Sequence, residues 1–174
     1  MNPYILFIGT IFIIILSWFI SVKHGRYHGI PRFFVFESIL ILVLLNADMW
    51  FVSPLSPLQI ASWILLAVSG WAAVSGFLLL KRLGKPDENF ENTSRLVKSG
   101  LYRYIRHPLY FSLFLLASGI ILKDPAKLQL LLGIITTVCV YLTARMEEGE
   151  MLAKFGDEYR EYMRESKMFI PFIL

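Results

Sequence analysis

Charge is scarce in this chain of 174 residues: Asp, Glu, Lys and Arg together make up 17% of it. An ordinary soluble domain carries about 25%, so a water-facing surface of normal size cannot be covered. Cysteine is nearly missing. Cys139 is the only one, which excludes a disulfide scaffold. The 11 Gly and 8 Pro follow no period, which excludes collagen-like and Pro-rich fibrous chains. What the chain has in abundance is apolar surface. Hydrophobic residues make up 56% of it and its mean hydropathy is +0.61. That content excludes disorder and leaves an integral membrane protein of one domain.

The hydrophobic runs set the expected spans. A helix needs about 20 residues to cross a hydrocarbon core roughly 30 Å thick. Pro3 to Val22 and Leu58 to Leu80 contain no charge, and Phe33 to Val52 carries only Glu37 and Asp48, read as end-of-span residues. Leu109 to Ala144 is too long for one crossing. Lys123-Asp124-Pro125-Ala126-Lys127 interrupts it as a polar turn, giving a hairpin with arms Leu109 to Leu122 and Leu128 to Ala144. The fold expected is therefore all-α and membrane-embedded. It has about five transmembrane helices including a hairpin in the C-terminal half, a cytosolic loop and a C-terminal amphipathic helix. A re-entrant hairpin would reduce the spans to four. Residues 1–80 hold three spans, and residues 81–174 hold the polar chemistry. Met1 to Tyr4 lacks the basic start of a secretory signal, so the first span is expected to be retained.

Basic residues set the sidedness. The first loop contains Lys23, Arg26 and Arg32, and Lys81 to Arg106 contains seven Lys or Arg against three acids. The positive-inside rule then puts the N-terminus outside and both basic loops and the C-terminal tail in the cytoplasm. The formal net charge of +4 follows from that topology and from anionic headgroups, so no nucleic-acid partner is implied. Short loops favour a prokaryotic inner membrane. His24 and His28 stand four apart with no third ligand nearby, so they read as interfacial residues and no metal is expected.

Two polar segments flank the hairpin on the expected cytoplasmic side. In the first, Pro108 suits the first turn of a helix, which puts His107 at the helix entrance beside Arg106. These residues and the nearby tyrosines would also serve as interfacial anchors. In the second, apolar residues at 151, 152, 155, 159, 162 and 163 have helical spacing, with Gly156 as a possible break. Glu147-Glu148 directly follows a span. Anionic headgroups do not favour an acidic pair there, so it wants a cation: Arg103, Arg106 or a positively charged ligand.

Taken in order, these motifs are Leu96-Val97, Gly100, Tyr102, Arg106-His107-Pro108 and Tyr110, then Glu147-Glu148, Phe155-Gly156, Glu158-Tyr159, Tyr162 and Pro171. The set resembles the isoprenylcysteine carboxyl methyltransferase family and the related phospholipid N-methyltransferases over residues 94–172. The resemblance implies S-adenosylmethionine as methyl donor, S-adenosylhomocysteine as product, and a lipophilic acceptor entering from the bilayer. It implies that Ser94, Arg95, Leu96 and Val97 line the donor, with Gly100, Tyr102, Arg106, His107, Pro108 and Tyr110 packed around it. Glu147 would hold the donor's α-amino group, with Glu148 as second candidate. Glu148 or His107 would take a proton from an amine acceptor, and Arg145 would face the substrate.

One position departs from the family pattern. The carboxyl methyltransferases place a substrate-binding arginine one turn before the key glutamate, where this chain has Thr143. Arg145 lies two positions before Glu147, and residues two apart do not share a helix face. Carboxyl O-methylation is the leading expectation. Phospholipid or amine N-methylation and thiol S-methylation are the alternatives within the fold. Sterol reductases resemble the same architecture with a nicotinamide cofactor but are much longer. A non-catalytic membrane scaffold is the competing class, and it predicts tolerance of change at His107 and Glu147.

Overall fold

Proline and polar caps start the helices. Pro3 opens α1 (Pro3–Ile20), and the Asn2 side chain accepts a bond from the Tyr4 amide at 3.0 Å. Pro57 opens α3 (Pro57–Leu83), with Ser56 Oγ accepting from the Gln59 amide. Pro108 opens α4 (Pro108–Ile121). These are the usual ways of satisfying or removing the orphan amides of a first turn. In this computed structural model, which describes residues 2–21, 23, 25–85 and 93–170, the other helices are α2 (Gly29–Leu45), α5 (Lys127–Phe155) and α6 (Asp157–Glu165).

Helices α1, α3 and α5 are long and apolar enough to cross a membrane, and α4 is a shorter apolar helix. The chain is an all-α, multi-pass membrane protein. Helix α3 packs on α4, α2 on α5 and α1 on α2, while α4 also touches α5 and α2. Helix α1 is peripheral. Ser17 is its one buried residue, and Phe7, Ile8 and Phe12 point outward, ready for lipid. The core lies between α2, α4 and α5, around Val35, Leu42, Ile120, Val140 and Ala144.

Small and hydroxyl residues bring α3 close to α4. Ser62 Oγ donates to the Gly119 carbonyl at 2.6 Å, and Ser69 Oγ donates to the Ser112 carbonyl at 2.8 Å. Gly76 faces Pro108 and Leu109 with no room to spare. Such contacts hold helices together where the hydrophobic effect gives no drive. At the far end of α4, buried Lys123 donates to Gln59 Oε1 at 3.0 Å and lies 3.5 Å from the centre of the Trp63 ring, with Trp50 alongside.

Three expectations are corrected. The second apolar run forms a helix over Gly29–Leu45, ending well before Val52. Asn46 stops it by turning its own Nδ2 back onto the Leu42 carbonyl at 2.8 Å, and a 3-10 turn at Ala47–Met49, which includes Asp48, follows. Glu37 therefore lies in mid-helix, where Thr10 Oγ1 of α1 donates to it at 2.7 Å. His28 is not an interfacial side chain: it is buried, with Nδ1 2.7 Å from Glu150 Oε1 of α5. His24 and Pro171 lie outside the described residues. The last apolar run does not stop at Ala144. Strong helix formers carry α5 through Glu147 and Glu148 to Phe155. Gly156, at φ +54°, then turns the chain into α6.

The sequence gives no hint of the tail's path. After α6 the chain runs alongside the segment before α4 in a short parallel bridge between Ile105 and Lys167. The Arg106 amide donates to the Lys167 carbonyl at 2.8 Å and the His107 amide to the Met168 carbonyl at 3.2 Å. Met168 and Phe169 then enter the core.

Candidate functional site

Helix α6, the loop before α4, and residues of α2, α3, α4 and α5 line a cavity of about 270 Å³. Its polar end is formed by Arg106, His107 and Glu147, beside Tyr102, Tyr159 and Tyr162. Leu96, Val97 and Thr93 close it from the loop. Its apolar end is formed by Phe36 of α2, Ala73 of α3, and Leu109 and Leu113 of α4. Pro108 and Tyr110 also line the cavity.

The acidic pair divides its work. Glu148 is buried, and Arg106 Nε reaches its Oε1 at 2.7 Å while Arg145 Nη1 lies 3.4 Å from Oε2. The other end of Arg106 donates to the Ser166 carbonyl and, at 3.4 Å, to that of Met163. Arg106 thus fastens α5 to the tail. Glu147 is less buried and faces the cavity. Its Oε2 lies 3.7 Å from His107 Nδ1, too far for a hydrogen bond. His107 is buried, and its Nε2 has no hydrogen-bond partner among the described residues. The ring leans on Tyr110 and Phe169.

The tyrosines keep their protons. Burial, helped by the negative charge of Glu147, pushes the Tyr102 phenol far above its ordinary value. Burial likewise raises Tyr159 and Tyr162. Tyr162 Oη donates to the Tyr102 carbonyl at 2.5 Å, tying α6 to the loop. The cavity therefore offers the Glu147 carboxyl group, neutral phenols and an apolar far end. Those walls fit a ligand that brings an ammonium group to Glu147 and a flat ring to the apolar and aromatic side chains, as S-adenosylmethionine does with its α-amino group and adenine.

Of the residues expected at the site, Leu96, Val97, Tyr102, Arg106, His107, Pro108, Tyr110 and Glu147 line the cavity. Ser94, Arg95, Gly100, Arg145 and Glu148 are not among its walls. Ser94 Oγ donates to the Lys85 carbonyl at 2.8 Å, and the Arg95 amide to that of Gly84 at 3.2 Å. Gly100 turns the loop at φ +61° and packs against Leu79, where any side chain would collide. Arg145 is 56% exposed, with Nη1 3.4 Å from Glu148 Oε2. The wall residues that carry no signal in the sequence include Arg32, Phe36 and Met151. Charge patterning marks Arg32 only as a topogenic residue, although its spacing of four from Phe36 puts both on one helix face.

The chain belongs to the phospholipid methyltransferase family, which it matches over residues 58–158, more than half its length. It is 35% identical over 72 residues to the methanethiol S-methyltransferase of Crocosphaera subtropica, covering 41% of this chain and 28% of the relative. It is 35% identical over 71 residues to methanethiol S-methyltransferase 1 of Bradyrhizobium diazoefficiens, covering 41% and 24%. To the methanethiol S-methyltransferase of Mycobacterium tuberculosis it is 29% identical over 127 residues, covering 65% and 49%. The matched region thus spans from a quarter to a half of the length of these curated relatives. No solved structure matches the chain significantly.

Proposed function

We propose that this protein is an S-adenosylmethionine-dependent methyltransferase that methylates a small lipophilic thiol at the membrane surface. The observation that carries the reading is the Glu147 carboxylate facing a cavity that is polar at one end and apolar at the other. Residues 81–174 form the catalytic region, and α1 to α5 each cross the bilayer, with the N-terminus outside and the cavity open to the cytoplasm. The bacterial relatives support an inner-membrane location.

Bound there, S-adenosylmethionine supplies an electrophilic methyl group. Glu147 accepts its ammonium, and Leu96, Val97, Tyr102 and Pro108 exclude water around it. Phe36, Ala73, Leu109 and Leu113 receive the acceptor from the bilayer. A thiolate acceptor needs no general base, so positioning is the protein's main task, worth roughly 7–11 kcal/mol. His107 stands at the polar end to hold or pass a proton for a neutral acceptor. The carboxyl O-methylation expected first is less well supported, because Arg145 is not among the cavity walls. The thiol acceptor is supported instead by the names of the relatives.

The test is calorimetry of detergent-purified protein with S-adenosylhomocysteine, followed by a methylation screen of thiols, prenylcysteines and amine lipids. Loss of a charge-assisted bond in Glu147→Gln should weaken binding about 10- to 100-fold. Unchanged affinity in that variant would remove Glu147 from the site. Absence of binding by folded wild-type protein would sink the methyltransferase reading.

A further inference from the structure

Arg32 is the one charged residue that α2 contributes to the cavity walls. It is buried, at 6% exposure, in the first turn of the helix. Its Nη2 donates to Ser21 Oγ, which holds the guanidinium in place. The depth of Arg32 follows from a neighbouring contact. His28, just before α2, is fixed at 2.7 Å to Glu150 near the end of α5. Moving one turn inward from that contact reaches Arg32 on α2 and Glu147 on α5, since a turn is about 3.6 residues and 5.4 Å. A guanidinium and a carboxylate thus face the same cavity at about the same depth. The other guanidinium in the walls, Arg106, meets Glu148 and the tail carbonyls.

A single α-amino acid presents an ammonium and a carboxylate on one carbon, and a neighbouring carboxylate and guanidinium match that pair. We propose that Arg32 binds the α-carboxylate of the donor's amino-acid end while Glu147 binds its ammonium, so that the two helices clamp the amino acid between them. Arginine suits the task because its planar fork meets a carboxylate with two parallel bonds. This assignment rests on the reading of the cavity as a methyl-donor site. It makes α2 part of the site, outside the region matched by the family.

The experiment is calorimetry with three ligands on the full chain. S-adenosylhomocysteine carries both charged groups, its decarboxylated analogue carries only the ammonium, and 5′-methylthioadenosine carries neither. Wild-type protein should prefer S-adenosylhomocysteine over the decarboxylated analogue by about tenfold or more. Arg32→Gln should lose that preference and bind the analogue and methylthioadenosine as wild type does. Glu147→Gln should lose affinity for both ammonium-bearing ligands. Arg32→Lys should restore part of the preference, since it keeps the charge without the fork.

Equal wild-type affinity for S-adenosylhomocysteine and its decarboxylated analogue would overturn the proposal, and that measurement needs no variant to fold. A weakening of all three ligands alike in Arg32→Gln, with thermal unfolding unchanged, would also overturn it by making Arg32 a general support of the cavity. If wild-type protein binds methylthioadenosine but not the amino-acid end, this assignment fails alone. If it binds none of the three, the methyltransferase reading fails with it.

Discussion

Replacing Arg106 with alanine separates the structural use of the Arg106–Glu148 pair from a donor-binding use. The substitution strands the buried carboxylate of Glu148, which Arg106 Nε meets at 2.7 Å, and frees the carbonyls of Ser166 and Met163. Breaking a buried pair from one side costs about 3–5 kcal/mol. The lower end applies here, because Arg145 and His107 still stand 3.4 and 3.6 Å from Glu148. For a chain of this size about 3 kcal/mol corresponds to a fall of roughly 6–12 °C in Tm. The assay is thermal unfolding in detergent, with calorimetry of S-adenosylhomocysteine below the transition. Glu148→Gln keeps an acceptor for Arg106 and should lose only about 1–2 kcal/mol, with little change in affinity. Replacing both partners with apolar residues should recover much of the stability, as exchange of a buried pair for well-packed side chains often does. An Arg106→Ala protein with unchanged Tm would refute the structural assignment. So would a Glu148→Gln protein of normal Tm that no longer binds S-adenosylhomocysteine, since that would make Glu148 the ammonium ligand.

Two further substitutions test the frame around the site. At Gly156 a Cβ would meet nothing within 4 Å, but the backbone sits at φ +54° and ψ −124°. Gly156→Ala should therefore cost about 1–3 kcal/mol through strain alone, read as a lower Tm, and a Tm equal to wild type would show that α5 and α6 can join differently. Lys123→Met removes the bond to Gln59 and the contact with Trp63, so it should lower stability by about 1–3 kcal/mol. Lys123 lies beyond the far end of α4, whose 14 residues span about 21 Å at 1.5 Å per residue, so affinity for S-adenosylhomocysteine should stay unchanged. A loss of affinity there would mean the two ends of α4 are coupled.

The sequence reveals the elements whose signals are local. Pro108 marks the start of α4, Gly156 the end of α5, and the uncharged run from Leu58 the body of α3. One continuous block of the cavity wall is legible for the same reason, because Leu96 to Tyr110 is a single stretch that runs into a helix N-terminus. The illegible parts depend on contacts distant in sequence. Nothing near Lys167 announces that its backbone pairs with Ile105, because the bridge is too short for strand alternation to appear. Glu37 reads as an end-of-span charge until Thr10 of a separate helix is found beside it. Arg32 looks like any cytoplasmic anchor, since hydropathy and charge counts record a residue's presence near a span and not which side of the helix it occupies.

The adjacent glutamates show how a single run of sequence can serve two purposes. Neighbouring residues on an α-helix point about 100° apart, the consequence of 3.6 residues per turn. Continuing α5 past the apolar span, rather than ending it at Ala144, gives Glu147 and Glu148 fixed and different directions. Glu147 turns to the cavity while Glu148 turns to Arg106. Arg106 holds the tail through Ser166, and the tail in turn holds the backbone of His107 through Met168. The buried pair therefore sets the position of the cavity's histidine, with Arg106 in the cavity wall and Glu148 behind it. This explains why two carboxylates that look interchangeable in the sequence should respond differently to the same change. Neutralising Glu147 should cost ligand affinity at nearly constant stability, whereas neutralising Glu148 should cost stability at nearly constant affinity.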